Sequence, residues 1–278
     1  MRFPPTAVGG KKLRYPSILR RCSLMLAGAA LAFCLAGCGA ASGASAAASS
    51  AAGQAASDAG SDAASDAGKP QQTAAAGGAA AADADGKVDL TALEAQNPDV
   101  YGYLTLVDTT IQYPVLQRAS DDAFYLEHNF DGSLGRPGVI YSEGWNKKDF
   151  SDFNTILYGH DMNDLSMFGT LEYYRDPAYL DAHRDITLQT DSGMRRYKIF
   201  AAVVYDDRYL PYAFDFTTET GRQSYLDVLS GGRNINDLYR DDLNVTTADK
   251  LLTLSTCVSQ YPNERYLVVA KYLGGDAQ

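Results

Sequence analysis

Histidine and cysteine are scarce in this chain, and the arrangements of them that bind metals are missing. Three His and four Cys are spread over 278 residues. They form no CxxC or HExxH, and no acidic EF-hand loop occurs, so neither a metal ion nor another cofactor is expected. Positive charge is also in short supply. Six of the 24 Lys and Arg residues precede Cys38 and no Asp or Glu does, leaving 18 basic against 34 acidic residues over residues 39–278, a formal charge of −16. Such a surface repels phosphates. It argues against a nucleic-acid partner and against electrostatic adsorption to anionic lipid. Aromatic residues are absent from residues 39 to about 87, a stretch made almost wholly of Ala, Gly, Ser and Asp. It cannot bury enough apolar surface to offset its ordering entropy, and is expected to be a flexible tether.

The N-terminus has the opposite pattern. Arg2, Lys11, Lys12, Arg14, Arg20 and Arg21 precede a charge-free apolar run from Cys22 to Cys38. A basic flank followed by an apolar run is an export signal or a membrane anchor, with the remainder of the chain outside the cytoplasm. Leu35-Ala36-Gly37-Cys38 resembles a bacterial lipobox, which makes Cys38 a lipidation candidate. An uncleaved signal-anchor helix is the alternative. Either places the protein at the extracytoplasmic face of a bacterial cell membrane, held by its N-terminus.

Residues 88–278 hold the material for one domain. Val88–Gln96 has the spacing of a short helix. Tyr101–Val107, Ile111–Leu116 (an edge strand because of Pro114), Val139–Tyr141, Asn154–Tyr158, Ile186–Gln189, Tyr197–Tyr205, Leu251–Thr256 and Tyr266–Tyr272 have the composition of strands. Asp164 is expected to cap a helix carrying Leu165, Phe168 and Leu171, closed by Pro177. Thr217–Leu229 has helical spacing and stops at Gly231-Gly232. Seven or eight strands with two or three helices in the connections make a mostly β barrel or sandwich.

Cys22, Cys34 and Cys38 lie in the apolar run, so Cys257 is the single thiol of residues 39–278. A lone Cys is most often a small buried hydrophobe. In an exported chain, a thiol without a disulfide partner is also a reason to expect reactivity. Cys257 ends the Leu251–Thr256 strand. Pro262 and Asn263 mark a turn, and an antiparallel return brings Arg265 close to the thiol, a setting that favours thiolate. A cysteine nucleophile also needs a base. His128 and His183 have the setting of packing or helix-end residues. His160 follows a strand and a glycine, on a loop that a rigid scaffold can aim. The order His160 before Cys257, without the CG-[SA]-C-[WY] or QAC-[RQG]-G signatures, excludes papain-like proteases and caspases.

Thr253-Leu254-Ser255-Thr256-Cys257 resembles the TLxTC signature of sortases, with Arg265 in the expected place on the next strand. Asn154-Thr-Ile-Leu-Tyr158-Gly159-His160-Asp161-Met162, continued by Ser166-Met167-Phe168-Gly169 and Leu171, is similar to the catalytic-His segment of class B sortases. The resemblance covers roughly residues 90–275. It implies an eight-stranded β-barrel with an N-terminal helix and helical insertions, one of them in the long connection before the Cys strand. It implies a cysteine transpeptidase in which His160, Cys257 and Arg265 are catalytic and Ser255 and Thr256 touch substrate. The implied partners are surface proteins with a C-terminal sorting motif, and an acceptor amine from peptidoglycan or a pilin lysine. The lipobox-like LAGC departs from the membrane anchor usual in class B. Two other readings stay open, a thiol hydrolase with water as acceptor and a non-catalytic lipoprotein binding module.

Overall fold

The computed structural model describes residues 83, 86–258 and 261–277. The N-terminal segment 1–38 with Cys38, and nearly all of the tether 39–87, lie outside the described residues. Among the described residues no helix is long and apolar enough to cross a membrane.

Helix α1, Leu90–Gln96, opens the domain. The Asp89 side chain caps it by accepting from the Ala92 amide at 2.9 Å. Val88 before the cap and Leu93 one turn in are both buried in one cluster with Val100, Tyr103 and Leu116, which fixes the entry angle of the chain. The Gln189 side chain donates to the Val88 carbonyl and accepts from the Val88 amide, each at 2.8 Å, tying the segment before α1 to the barrel.

The strands are β1 (Val100–Leu106), β2 (Gln112–Leu116), β3 (Ile140–Tyr141), β4 (Asn154–Tyr158), β5 (Asp185–Thr190), β6 (Gly193–Asp206), β7 (Leu238–Tyr239), β8 (Leu251–Val258) and β9 (Tyr261–Ala277). Their order is β5-β1-β2-β3-β4-β8-β9-β6, and a further β5–β6 pairing closes these eight into a barrel. The two-residue β7 pairs with β6 as a ninth strand outside the closure, at Ala201 and Ala202. Leu104, Leu106, Val115, Leu157, Leu188, Ile199, Leu252, Leu254 and Val268 fill the interior. The opposite parity of the same strands, including Ile156, Leu251, Leu267 and Val269, faces a second apolar cluster. Covering that outer face are the short α4 (Leu210–Ala213) and the twelve-residue α5 (Glu219–Ser230), through Leu210, Tyr225, Leu226 and Leu229. The eight-stranded barrel with helical connections therefore stands as expected. Because both faces of β8 are covered, its polar parity is buried too: Thr253 is fully inaccessible and bonds Tyr225 Oη at 2.9 Å and Asn154 Oδ1 at 2.7 Å.

Three local expectations are corrected. Strand β2 is internal, since it also pairs with β3. That ladder takes only Val115 and Leu116, so Pro114, which lacks a donor, never has to serve it. Asp164 caps no helix. Its carboxylate accepts from the amide and hydroxyl of Ser166, forming a local turn that leaves Leu165 exposed at φ 66°. The helix there is a 3-10 segment, Gly169–Arg175, with Phe168 and Leu171 fully buried at its start. Pro177 does close that segment, directly after its C-cap Asp176. It is the first residue of α3, Pro177–Ala182, where its missing N–H costs no bond, and Asp176 caps that helix. Pro262 and Asn263 do not form the turn but lie within β9. Val258 pairs with Tyr261 and Cys257 with Arg265, so residues 262–264 are extra and bulge the strand. The remaining short helix, α2 (Phe124–Glu127), carries Tyr125 into the cluster around α1.

Candidate functional site

Strands β4 and β8 run parallel, with Tyr158 opposite Ser255. His160 and Cys257 each follow that pair by two residues, so the register delivers both to the same end of the barrel and the same parity. Two further bonds clamp the strand ends. The Gly159 amide donates to the Ser255 carbonyl at 3.2 Å, and Thr256 Oγ1 donates to the Gly159 carbonyl at 2.9 Å. On the other side, β9 is antiparallel and places Arg265 directly opposite Cys257, beside the bulge. Bulges of this kind commonly re-aim side chains next to active sites. The three residues that the sequence singled out for chemistry line one cleft, together with Ser255 and Thr256. Cys257 and Arg265 are half-buried. Ser255 and Thr256 are buried, and the Thr256 hydroxyl is engaged in the strand clamp just described.

His160 is held from several directions. Its carbonyl accepts from the Phe168 amide at 3.0 Å, which folds the 161–168 loop back behind it. The Tyr113 hydroxyl accepts from the Met167 amide at 3.0 Å and secures that loop to β2. Gly159 lets the strand end pack closely: a Cβ there would stand 2.5 Å from Ile140 Cδ1 and 2.7 Å from Phe168 Cδ2, and those side chains would have to shift. The imidazole Nε2 lies 2.8 Å from the Leu126 carbonyl. A carbonyl only accepts, so Nε2 carries the hydrogen and the neutral ring keeps its lone pair on Nδ1. Burial moves the His160 pKa below the usual histidine value. The bond to Leu126 opposes this, and the nearby positive charge of Arg136 adds to it.

His128 and His183 are packing groups. His128 stacks on Phe124 with ring centres 3.8 Å apart, and its Nδ1 lies 2.7 Å from the Phe124 carbonyl. His183 follows the last turn of α3 and stacks on Tyr179 at 4.2 Å.

The rest of the cleft lining was not singled out in the sequence. Leu126, Tyr141, Glu143, Tyr158 and Tyr209 come from four separate parts of the chain. Only Tyr158 sat in a motif, NTILYGH, and nothing there marked its side chain. Tyr209 caps α4, a helix too short to leave a periodic signal. Glu143 was a single acid in a Ser-Glu-Gly turn. Among the described residues no group of three or more His, Cys, Asp or Glu is placed to hold a metal ion.

A Sortase domain profile matches residues 104–273, which spans β1 to β9. Sortase B of Listeria monocytogenes is 35% identical over 193 residues, covering 67% of this chain and 75% of that protein. Sortase B of Staphylococcus aureus is 34% identical over 185 residues, covering 65% and 73%. Among solved structures, sortase B of Clostridium perfringens superposes with a TM-score of 0.60 at 27% identity, covering 67% of this chain and all of that one. A sortase B–substrate complex from S. aureus gives 0.59 at 31% identity, covering 66% and 84%. With a barrel of this topology and a domain profile across most of its strands, the chain belongs to the sortase family, in class B.

Proposed function

We propose that the protein is a cell-surface cysteine transpeptidase in which Cys257 is the nucleophile, His160 the proton carrier and Arg265 the oxyanion donor. The observation that carries this reading is the double register at one barrel end: β4 beside β8 brings His160 level with Cys257, and β9 sets Arg265 opposite it. Cys257 attacks the scissile carbonyl of a sorting motif, and its proton passes to the imidazole. Collapse of the tetrahedral adduct expels the amine half of the peptide, which takes that proton from His160 and leaves a thioacyl enzyme. An acceptor amine then attacks the thioester, returns a proton through His160 and regenerates the thiol. The guanidinium of Arg265, always charged and forked, donates to the oxyanion in both steps. The acyl donors are surface proteins with a C-terminal sorting motif. The acceptor is a peptidoglycan amine or a pilin lysine. Residues 1–38 attach the enzyme to the outer face of the membrane, through lipid on Cys38 or as a signal-anchor helix.

The test is product analysis with the purified chain and a library of sorting-motif peptides, with and without an amine nucleophile. Amine-dependent formation of a new peptide bond is the expected result. Cleavage whose product is the free acid at every amine concentration rejects transfer and leaves a thiol hydrolase. Mass spectrometry of membrane-extracted protein decides the attachment: a mature chain starting at a diacylglyceryl Cys38 supports lipidation, and residues 1–37 still present reject it.

A further inference from the structure

Glu143 is 1% exposed, yet it lines the cleft that holds Cys257 and His160. Its backbone is fixed without help from its side chain. The Glu143 carbonyl accepts from Gln117 Nε2 at 2.9 Å and from the Asn146 amide at 3.0 Å, and Ser142 Oγ beside it pairs with Tyr101 Oη at 2.6 Å. A carboxyl is therefore not required to shape this turn. One of its oxygens, Oε2, accepts from Tyr209 Oη. The other, Oε1, is buried with no hydrogen-bond partner among the described residues, and so is the Tyr158 hydroxyl in the same cleft. Burying a carboxyl with one oxygen unmatched is unfavourable, and such a group in a native cleft calls for a reason.

We propose that Glu143 is a positioning residue: by accepting from Tyr209 it fixes that phenol as the wall against which the acyl-donor peptide lies. The proposal rests on the acyl-transfer reading above. Tyr209 stands at the cap of α4, and its ring packs edge-on against Tyr212, which is 60% exposed. The link to Glu143 is a hydrogen bond that joins this phenol to the turn after β3, alongside the stacking of Trp145 on Phe216.

The link also responds to pH. Burial pushes the Glu143 carboxyl up to about 7. The Tyr209 bond acts in the opposite direction, and the charge of Asp122, which accepts from the Gly144 amide at 2.6 Å, raises it further. The groups around Glu143 are Asp122 from the segment before α2, Tyr158 from β4 and Tyr209 from α4, with His160, Cys257 and Arg265 elsewhere in the cleft. Below pH 7 the carboxyl is neutral and stays buried. As pH rises through 7 it becomes an anion, which accepts more strongly from the Tyr209 hydroxyl, and the wall tightens.

The experiment compares full-length wild type with Glu143→Gln, Glu143→Ala, Tyr209→Phe and Glu143→Ala/Tyr209→Phe. Peptide turnover is read from pH 5.5 to 8.5, alongside Cys257 alkylation by iodoacetamide. Glu143→Ala is expected to raise KM about tenfold while kcat falls less than threefold and alkylation is unchanged. Glu143→Gln, which cannot ionise, is expected to restore KM to within threefold at pH 6. It is also expected to lack the wild-type fall of KM as pH rises through 7. The double variant is expected to be no worse than the poorer single one. A fall in kcat at constant KM, a Gln variant as impaired as Ala at every pH, or independent additive losses overturns the proposal. If wild type turns over no peptide, the acyl-transfer reading has failed by itself. Urea unfolding of the same four variants at pH 6 then decides the Glu143–Tyr209 link, with additive changes overturning it and a coupled pair supporting it.

Discussion

Cys257 and Arg265 stand on paired strands at the barrel rim, whereas Leu126, Glu143 and Tyr209 reach the same cleft from three separate connections. On the strand side, geometry follows from register. Once β8 pairs with β4 and β9, a single shift of one residue would turn every side chain to the wrong face, so burial of Leu252 and Leu254 inside the barrel also fixes the direction of Cys257. On the connection side, each residue depends on its own local bonds: a carbonyl of α2 for His160, a Gln117 clamp for Glu143, a phenol–carboxyl bond for Tyr209. In the proposed mechanism the strand side, with His160 just beyond β4, places the reacting groups, and the connections shape what lies against them. Chemistry is therefore expected to be sensitive to the strand-borne residues and to His160, and binding to Leu126, Glu143 and Tyr209.

This contrast fails if the strand-borne groups turn out to be dispensable. Cys257→Ala is expected to reduce peptide turnover to background and to remove the mass adduct formed with a thiol-reactive sorting-peptide analogue, because residues 39–278 hold no other thiol. Retained turnover removes the cysteine mechanism altogether.

Next in size is Arg265→Lys, which separates fork geometry from charge. Loss of one oxyanion donor typically lowers kcat by ~10²–10³-fold, about 3–4 kcal/mol. The expected result is a loss of that order with Cys257 alkylation near the wild-type rate, both measured on one preparation. Alkylation slowed in step with turnover instead gives Arg265 the role of activating the thiol.

Gly159→Ala tests the junction between the two sides. Its Cβ would collide with Ile140 and Phe168, and overpacking of this kind costs about 1–3 kcal/mol. Lower stability in urea should come with weaker turnover, because the residue after Gly159 is His160. A stable Gly159→Ala protein with full activity means the β4 end is less rigid than the packing implies.

Smaller still, Thr253→Val removes the buried hydroxyl that bonds both Asn154 and Tyr225 beneath α5, at about 1–2 kcal/mol. This residue does not line the cleft, so turnover should persist at temperatures well below the new Tm. A loss of turnover without loss of stability would extend the site to the outer layer.

The subtlest effect is the pH response of His160. Burial lowers its folded-state pKa below the ordinary value of 6.5. The ring then stays neutral, able to accept the thiol proton, at pH values where a free histidine is charged. The acid limb of kcat/KM is expected below pH 6.5. Between 6.5 and the lower folded-state value the unfolded chain binds the proton more readily, so stability is lost as pH falls through that window and is fully present above it. An acid limb at or above 6.5 in wild type speaks against a desolvated base.

Much of the strand side is legible in the local sequence. Alternation in Leu251–Val258 places Cys257 on the parity opposite Leu252 and Leu254, and a β-rich run ending in Tyr272 supplies a partner strand. Local sequence suffices there because strand parity is a period-two property of the chain itself. It fails where a local alternative competes. Asp164 finds Ser166 rather than a helix terminus, and Pro262–Asn263 becomes a bulge because the residues around them pair in a shifted register.

Composition, spacing and strand pattern carry the class of fold, the single thiol of residues 39–278 and two residues, His160 and Arg265, that line a cleft with it. Three-dimensional packing was needed to establish that β5 and β6 close the barrel, that α5 buries the polar parity of β8, and that Leu126, Glu143 and Tyr209 share a cleft with Cys257. The reason is separation along the chain. Glu143 and Tyr209 are 66 residues apart and their bond has no periodicity to announce it. Such contacts arise when the strands between them fold into register, and no local preference encodes them.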